Sequence, residues 1–181
     1  GSFSKEATFI TASKGEETFH FLTITDFQGD TKEDYQVWKN TLEKGLIQFP
    51  KTAFLLLTGD LTDNGDNIEQ WDLVIGEVQE VLLTLPVVPL LGNHDVINKD
   101  GSNPEGKNFR DRFTLPIVDI PGTPEETVYS FDYGSAHIAV LNTEVSKEGM
   151  ESQVVWLKKD MVASEKNWKI VALHRGPYGT V

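Results

Sequence analysis

The chain has 181 residues, of which 39% are hydrophobic and 24% charged, and this fits one globular domain large enough to bury a core. Its formal net charge of −12 argues against general binding to nucleic acids, because phosphate backbones are bound by clustered Lys and Arg. The chain has no cysteine, which excludes disulfides and thiolate metal sites, and no apolar run approaches the ~18 residues of a membrane-spanning helix.

The first half of the chain is predicted to alternate strands and helices. Residues 1–16 are interpreted as a linker or, through a possible short strand at 8–11, as the last strand of a preceding β-domain. Hydrophobic periodicity then predicts strands at 19–24, 53–57 and 87–91, separated by helices at 33–48 and 68–83. This order predicts a parallel sheet with right-handed crossovers.

The second half begins with a loop-rich stretch and returns to strands. Residues 96–126 are rich in Gly and Pro, with a possible short helix at 108–113. Two β-rich segments, 127–133 and 136–141, flank Gly134-Ser135 and predict a hairpin. A helix at 150–163 and a last strand at 168–173 follow.

Polar side chains follow four of the apolar strands at the point where each strand ends. They are Asp26 and Gln28, Asp60, Asn93 and His174. The carboxyl ends of parallel strands form the edge where open α/β sheets build their sites. Carboxylate, amide and imidazole donors together predict a metal site, and the two oxygens of Asp60 suit it to bridge two metals about 3.5–4 Å apart.

Three further residues near these strand ends are candidates for the chemistry. Asp95 lies next to His94 and is predicted to hold its ring and favour the charged form, which makes the pair a candidate proton donor or phosphate clamp. Arg175 either clamps phosphate through its guanidinium or pairs with one of the many carboxylates. His137, inside a strand pattern with no motif around it, is interpreted as structural.

These segments resemble those of a known family. Asp26-Phe27-Gln28, the stretch Gly59-Asp60-Leu61-Thr62-Asp63-Asn64-Gly65 and Gly92-Asn93-His94-Asp95 resemble the first three motifs of the calcineurin-like metallophosphoesterases. Val171-Ala172-Leu173-His174-Arg175 resembles the fourth motif as it occurs in the purple acid phosphatase branch, and residues 153–160 resemble a helix of that branch. The resemblance implies an α/β fold, the four-layer α/β/β/α sandwich of the metallophosphatase type, with a catalytic domain at 17–181.

The same resemblance implies a dinuclear centre. Asp26 and Gln28 would bind the first metal, Asn93 and His174 the second, and Asp60 would bridge them. His94 would then face the phosphoryl group and the leaving oxygen, and Asp63 would support the loop from outside the ligand set.

The chain departs from the family at three places. Position 63 is Asp where purple acid phosphatases have the tyrosine that gives their colour, so the protein should be colourless. Position 28 is Gln where the family usually has His, and a neutral amide should favour manganese or iron over zinc. The family's final Gly-His-x-His motif does not occur before Val181. We therefore expect a sandwich incomplete at its C-terminus, with an exposed sheet edge that favours self-association or pairing with a second fragment.

The predicted function is metal-dependent hydrolysis of a small phosphomonoester or phosphodiester, and the motifs do not separate these two substrates. The alternative is a catalytically degenerate scaffold or surface-binding module, which Gln28 and the missing final motif favour. The resemblance to the purple acid phosphatase branch favours a secreted or cell-surface protein.

Overall fold

The computed structural model describes residues 5–12, 18–99, 101 and 104–178. The elements in chain order are β1 (His20–Ile24), α1 (Lys32–Gln48), β2 (Thr52–Thr58), α2 (Ile68–Gly76), α3 (Gln79–Leu82), β3 (Val87–Leu90), α4 (Lys107–Arg110), β4 (Tyr129–Tyr133), β5 (Ala136–Val140), α5 (Lys147–Ala163) and β6 (Trp168–Ala172). Two short 3-10 turns lie at His94–Val96 and Pro104–Gly106.

The strands form two three-stranded sheets. The first sheet has the order β1-β2-β3 with every pair parallel, which confirms the predicted parallel arrangement. The second has the order β4-β5-β6. β4 and β5 are antiparallel on either side of Gly134-Ser135, as the predicted hairpin requires, and β5 is parallel to β6.

Strand β2 separates two hydrophobic cores because its side chains alternate between the faces of the first sheet. Leu55 and Leu57 pack with α1 and α2, where Trp38 and Trp71 are buried. Phe54 and Leu56 point the other way and pack with residues of the second sheet, which include Tyr129, Ile138, Val140 and Ala172. A strand buried on both faces reads as a continuous apolar run, which is how it appears in the sequence.

A third core lies on the outer face of the second sheet. Val128 and Leu141 pack there with Trp156 and Leu157 of α5. Helices therefore cover both outer faces of the paired sheets. This is the α/β/β/α order that the family resemblance predicts.

Helix α1 begins where its first turn is capped in both directions. The Thr31 hydroxyl accepts from the Asp34 N–H (3.3 Å), and the Asp34 carboxylate accepts from the Thr31 N–H (3.0 Å). This reciprocal pair satisfies two donors that the first helical turn leaves without partners. The helix therefore starts at Lys32, one residue before the predicted position.

The single helix predicted over 68–83 is wrong, because two helices occupy that stretch. α2 ends at Gly76, a residue type with low helix propensity. Val78 then leaves helical geometry (φ −116°, ψ 13°), and its side chain is buried in the first core. The periodicity of the apolar residues continues across such a break, so the break could not be predicted from the periodicity.

The N-terminal residues that the structure describes do not form the short strand considered at 8–11. They have no regular secondary structure, although the Thr8 N–H donates to the Leu83 carbonyl (3.0 Å). Residues 1–4 and 13–17 lie outside the described ranges. The division into 1–16 and 17–181 stays a prediction.

The two sheets leave edge strands open on one side. β1 and β6 each pair with one neighbour only within the described chain. Trp168 of β6 is 67% exposed, and Phe19, Phe21 and Ile170 line a cavity beside it. Self-association through this edge stays a prediction.

Among the described residues, every helix is too short or too polar to cross a membrane.

Candidate metal centre

Three of the predicted ligands meet at one end of the sandwich. Asp26 follows β1, Asp60 follows β2 and His174 follows β6. One ligand atom from each of these residues lies within 4.8 Å of the other two. The first two residues come from one sheet and the third from the other, so the cluster lies where the two sheets meet.

Gln28 and Asn93 extend this cluster on either side. The Gln28 amide nitrogen is 3.5 Å from Asp60 Oδ2, and Asn93 Oδ1 is 3.2 Å from His174 Nε2. The structure thus brings together all five residues predicted as metal ligands. Gln28 Oε1 is buried and has no hydrogen-bond partner within the described chain. A buried amide oxygen without a partner is costly unless a cation or another group uses it.

The backbone at the two aspartates is strained. Asp26 and Asp60 both have φ of +53°, in the left-handed region that non-glycine residues adopt at a cost of roughly 1–3 kcal/mol. With the backbone in this conformation, one carboxylate oxygen of each residue lies within 4.8 Å of the other. The Thr25 hydroxyl donates to the Asp26 carboxylate and holds it there.

Two glycines allow the strand ends to approach each other this closely. Gly59 has φ of +91°, and a Cβ built on it would lie 2.7 Å from His174 Nδ1. A Cβ on Gly92 would lie 2.2 Å from both the backbone nitrogen and Oδ1 of Asp60. Neither position can hold a larger residue without moving a predicted ligand.

The hydrogen bonds of His174 establish how its ring is oriented. Nδ1 lies 2.8 Å from the Thr58 carbonyl, which can only accept, so Nδ1 carries a hydrogen and Nε2 faces Asp60 Oδ2 at 3.4 Å. The hydrogen bond with Asp60 raises the pKa of His174 to about 9, although burial opposes the charged form. Burial raises the pKa of Asp60, but its hydrogen bonds with His174 and the His94 N–H bring it below its usual value. This Nδ1–H···O=C arrangement is the usual way in which proteins fix a histidine that ligates through Nε2.

His94 contacts the centre through its backbone and leaves its ring beside the cluster. Its N–H donates to Asp60 Oδ1 (2.9 Å), while ring Nδ1 lies 2.8 Å from the Asp63 carbonyl. The Asp63 carboxylate is 3.4 Å from the same nitrogen. Because the carbonyl only accepts, Nδ1 carries the hydrogen and Nε2 is the nitrogen that can take up or release a proton.

The orienting partner of His94 is therefore Asp63, and the structure corrects the assignment of that role to Asp95. Asp95 is fully buried. Its Oδ1 accepts from the N–H groups of Leu61 (2.8 Å) and Thr62 (3.0 Å), and its Oδ2 accepts from Gly92 (2.9 Å). Burial raises the pKa of Asp95 to about 6, against these hydrogen bonds, which lower it. Asp95 braces the two loops that carry Asp60 and Asn93.

Arg175 is predicted either to clamp phosphate or to pair with a carboxylate, and in the structure it pairs with the carboxylate of Glu144. Its Nε and Nη2 donate to the two oxygens of Glu144 at 2.8 and 3.0 Å. Sequence reasoning missed Glu144, although one signal pointed to it. It follows β5, whose carboxyl end lies beside that of β6.

Comparisons with known proteins agree with this fold. The calcineurin-like phosphoesterase family model matches residues 19–181. Acid phosphatase type 7 of Mus musculus is 30% identical over 137 residues, which cover 68% of this chain and 29% of that protein. "Probable inactive purple acid phosphatase 27" of Arabidopsis thaliana is 28% identical over 152 residues, or 78% of this chain and 25% of that protein.

The fold is also found in a solved structure. Purple acid phosphatase PPD1 from yellow lupin (Lupinus luteus) seeds superposes with a TM-score of 0.74 over 92% of this chain and 32% of that one, at 19% identity. The chain spans about a third or less of the length of these relatives. The family match over most of its length shows that this chain belongs to the calcineurin-like phosphoesterases.

Proposed function

We propose that the protein is a metal-dependent phosphoesterase that hydrolyses a phosphomonoester or phosphodiester through a dinuclear centre. The observation that carries this proposal is the convergence of Asp26, Asp60 and His174 within 4.8 Å at the carboxyl ends of their strands. Hydrolysis by metal ions needs oxygen and imidazole donors held in this way, with an open side toward the substrate.

The donor set fits a pair of divalent cations. Asp26, Gln28 and Asp60 would hold the first, and Asp60, Asn93 and His174 the second. The buried Gln28 oxygen without a partner supports its place in the first set, since rotation of the amide would turn that atom toward Asp60. Oxygen donors outnumber the single imidazole, which favours manganese or iron over zinc.

When bound, such cations would neutralise phosphate charge and lower the pKa of water, which are the usual contributions of a dinuclear site. The protein itself supplies the remaining groups. His94 Nδ1 is hydrogen bonded to the Asp63 carbonyl, so Nε2 is the ring nitrogen that remains to act on a substrate. It is placed to protonate a leaving alkoxide or to stabilise charge on the phosphoryl oxygens.

The relatives support this reaction class, because acid phosphatase type 7 and several purple acid phosphatases match the chain. A small-molecule phosphoester is the proposed substrate. The net charge of −12 favours local recognition of phosphate at a cation over a broad basic surface.

Replacement of Asp60 by Asn tests the proposal. The wild-type protein should bind two equivalents of Mn²⁺ in a calorimetric titration and cleave p-nitrophenyl phosphate. Asp60→Asn should abolish cleavage and lower metal affinity, because the bridging charge is lost. Asp111→Asn is the matched control, since that carboxylate pairs only with the exposed Lys107 among described contacts. Wild-type turnover in Asp60→Asn would overturn the assignment.

A degenerate scaffold is the second candidate function. Two relatives are named "Probable inactive purple acid phosphatase", and Gln28 replaces an expected imidazole. A scaffold should bind one Mn²⁺ weakly or none, and it should not cleave the chromogenic ester. The same titration therefore separates the two candidates.

A further inference from the structure

The loop that follows β5 lies directly beside the loop that carries His174. β5 and β6 are parallel with Val140 opposite Ala172. The pairing continues one residue further, where the Leu141 N–H donates to the Ala172 carbonyl (2.9 Å). Both loops therefore leave the sheet at the edge where the candidate metal centre lies.

A charged pair joins the two loops. Arg175 binds Glu144 through two parallel N–H···O contacts of 2.8 and 3.0 Å, and its own N–H donates to the Thr143 hydroxyl (3.4 Å). The Glu144 side chain is only 8% exposed. A bidentate guanidinium–carboxylate pair fixes geometry more strongly than a single contact. Loss of Arg175, which is itself 57% exposed, would remove the counter-charge of the nearly buried Glu144 carboxylate.

Glu144 is itself held by a buried polar network. Its N–H donates to Asn142 Oδ1 (2.8 Å), and the Asn142 N–H donates to Gln153 Oε1 (3.0 Å). The Gln153 amide also donates to the Asn142 carbonyl (2.9 Å). Asn142 and Gln153 are both buried, at 1% and 0% exposure. Helix α5 thus anchors the backbone of Glu144 through Gln153 and Asn142.

His174 is confined from the opposite side as well. Its Nδ1 donates to the Thr58 carbonyl (2.8 Å), and Gly59 lies so close to this nitrogen that a side chain at position 59 would clash with it. Arg175 is the next residue in the chain, so a contact that holds Arg175 also restricts the backbone of His174.

We propose that Glu144 and Arg175 are positioning residues that hold His174 in its ligating orientation, and that Arg175 does not bind substrate phosphate. This inference rests on the proposed metal centre. Release of the guanidinium toward a phosphate would leave the nearly buried Glu144 carboxylate without its counter-charge, with only the neutral Thr143 hydroxyl (2.9 Å) donating to it among the described contacts, and this opposes a clamp role.

The test is a double-mutant cycle on Mn²⁺ affinity, measured by calorimetry. Glu144→Gln and Arg175→Gln should each weaken binding by about 10-fold, as expected for a group that orients a ligand from outside the ligand set. The double variant should be no weaker than either single variant, because both act through one contact. Arg175→Lys should fall between wild type and Arg175→Gln, since lysine keeps the charge but cannot form the paired contact.

Arg112 and Asp72 provide the matched control pair. They form an ion pair through one contact of 3.1 Å between α2 and the residues that follow α4, and Asp72→Asn, which removes an exposed carboxylate, should leave Mn²⁺ affinity unchanged. If Glu144→Gln binds Mn²⁺ like wild type, or if the single losses add in the double variant, the positioning role is overturned. A clamp would instead appear as loss of inorganic phosphate binding in Arg175→Gln alone.

A metal-free measurement separates this inference from the proposed function. The His174 Nδ1–H that donates to Thr58 should exchange with solvent faster in Glu144→Gln than in wild type, as followed by nitrogen-15 NMR. If the wild-type protein binds no Mn²⁺, the proposed function fails, and exchange alone decides the positioning role. Unchanged exchange in Glu144→Gln overturns the positioning role in either case.

Discussion

Gly92 allows the sharpest test of how the site is built, because the space around it is known. A Cβ at this position would lie 2.2 Å from the backbone nitrogen of Asp60 and 2.2 Å from its Oδ1. Ordinary contact begins near 3.4 Å, so Gly92→Ala requires the two strand ends to separate by about 1.2 Å. The atoms in the way are backbone and a held carboxylate, neither of which can rotate aside.

The expected cost follows from that clash. Overpacking of this kind destabilises proteins by about 1–3 kcal/mol, and for a chain of this length 2 kcal/mol corresponds to a fall in thermal midpoint of roughly 4–8 °C. A displacement near 1 Å at Asp60, the proposed bridging ligand, should also lower divalent-metal affinity by about 10-fold or more.

Thermal unfolding of the metal-free protein and Mn²⁺ calorimetry measure these two effects separately. Gly76→Ala is the matched control, because a Cβ there meets no atom within 4 Å and the residue ends α2. That variant should be as stable as wild type or slightly more stable. If Gly92→Ala matches Gly76→Ala in both midpoint and affinity, the strand ends are not packed as described.

Three other expectations concern His137, its partner Asp160 and the buried Asp95. Burial opposes the charged form of His137, but hydrogen bonds to Asp132 (2.7 Å) and Asp160 (2.8 Å) outweigh it and hold the pKa of His137 above its usual 6.5. The stabilising effect of the protonated His137 ring is therefore complete below pH 6.5 and is lost as the pH rises through the raised pKa. The difference in unfolding free energy between wild type and His137→Gln, measured in urea, should therefore shrink at alkaline pH. A difference that does not depend on pH would contradict this. Asp160→Asn should reduce the same difference, because it removes one of the two carboxylates that favour the protonated ring. Asp95→Asn should cost about 1–3 kcal/mol in thermal unfolding, since its amide NH₂ would face a backbone donor, and an unchanged midpoint would refute the bracing role.

Strand positions and the meeting of the ligands could be predicted because both follow from local patterns. Buried parallel strands such as β2 and β3 are continuous apolar runs bounded by polar residues. The carboxyl ends of neighbouring parallel strands must meet at one edge, so the amino-acid sequence alone predicts that Asp26 and Asp60 lie close together. The same pattern added His174, which follows a fourth apolar strand, but it could not show that this strand belongs to the other sheet.

Details that depend on tertiary packing could not be predicted. The choice of Asp63 over Asp95 as partner of His94 depends on a backbone carbonyl, which carries no signature in the sequence. The contact between Glu144 and Arg175 joins residues 31 positions apart, and an acidic protein offers many candidate partners for one arginine. The break in the helix at Val78 follows from burial of that side chain against distant residues.

The origin of the ligands in two different sheets has a mechanical consequence. A cation held between Asp60 and His174 would act as a cross-link between the halves of the sandwich, in addition to the apolar core and the hydrogen bond from His174 to Thr58 that already join them. Ligand binding to the native state alone adds about 2.7 kcal/mol of stability at a free concentration 100 times the dissociation constant. Removal of such a cation by a chelator would thus weaken the connection between the two sheets, and the melting temperature would vary with the concentration of free metal.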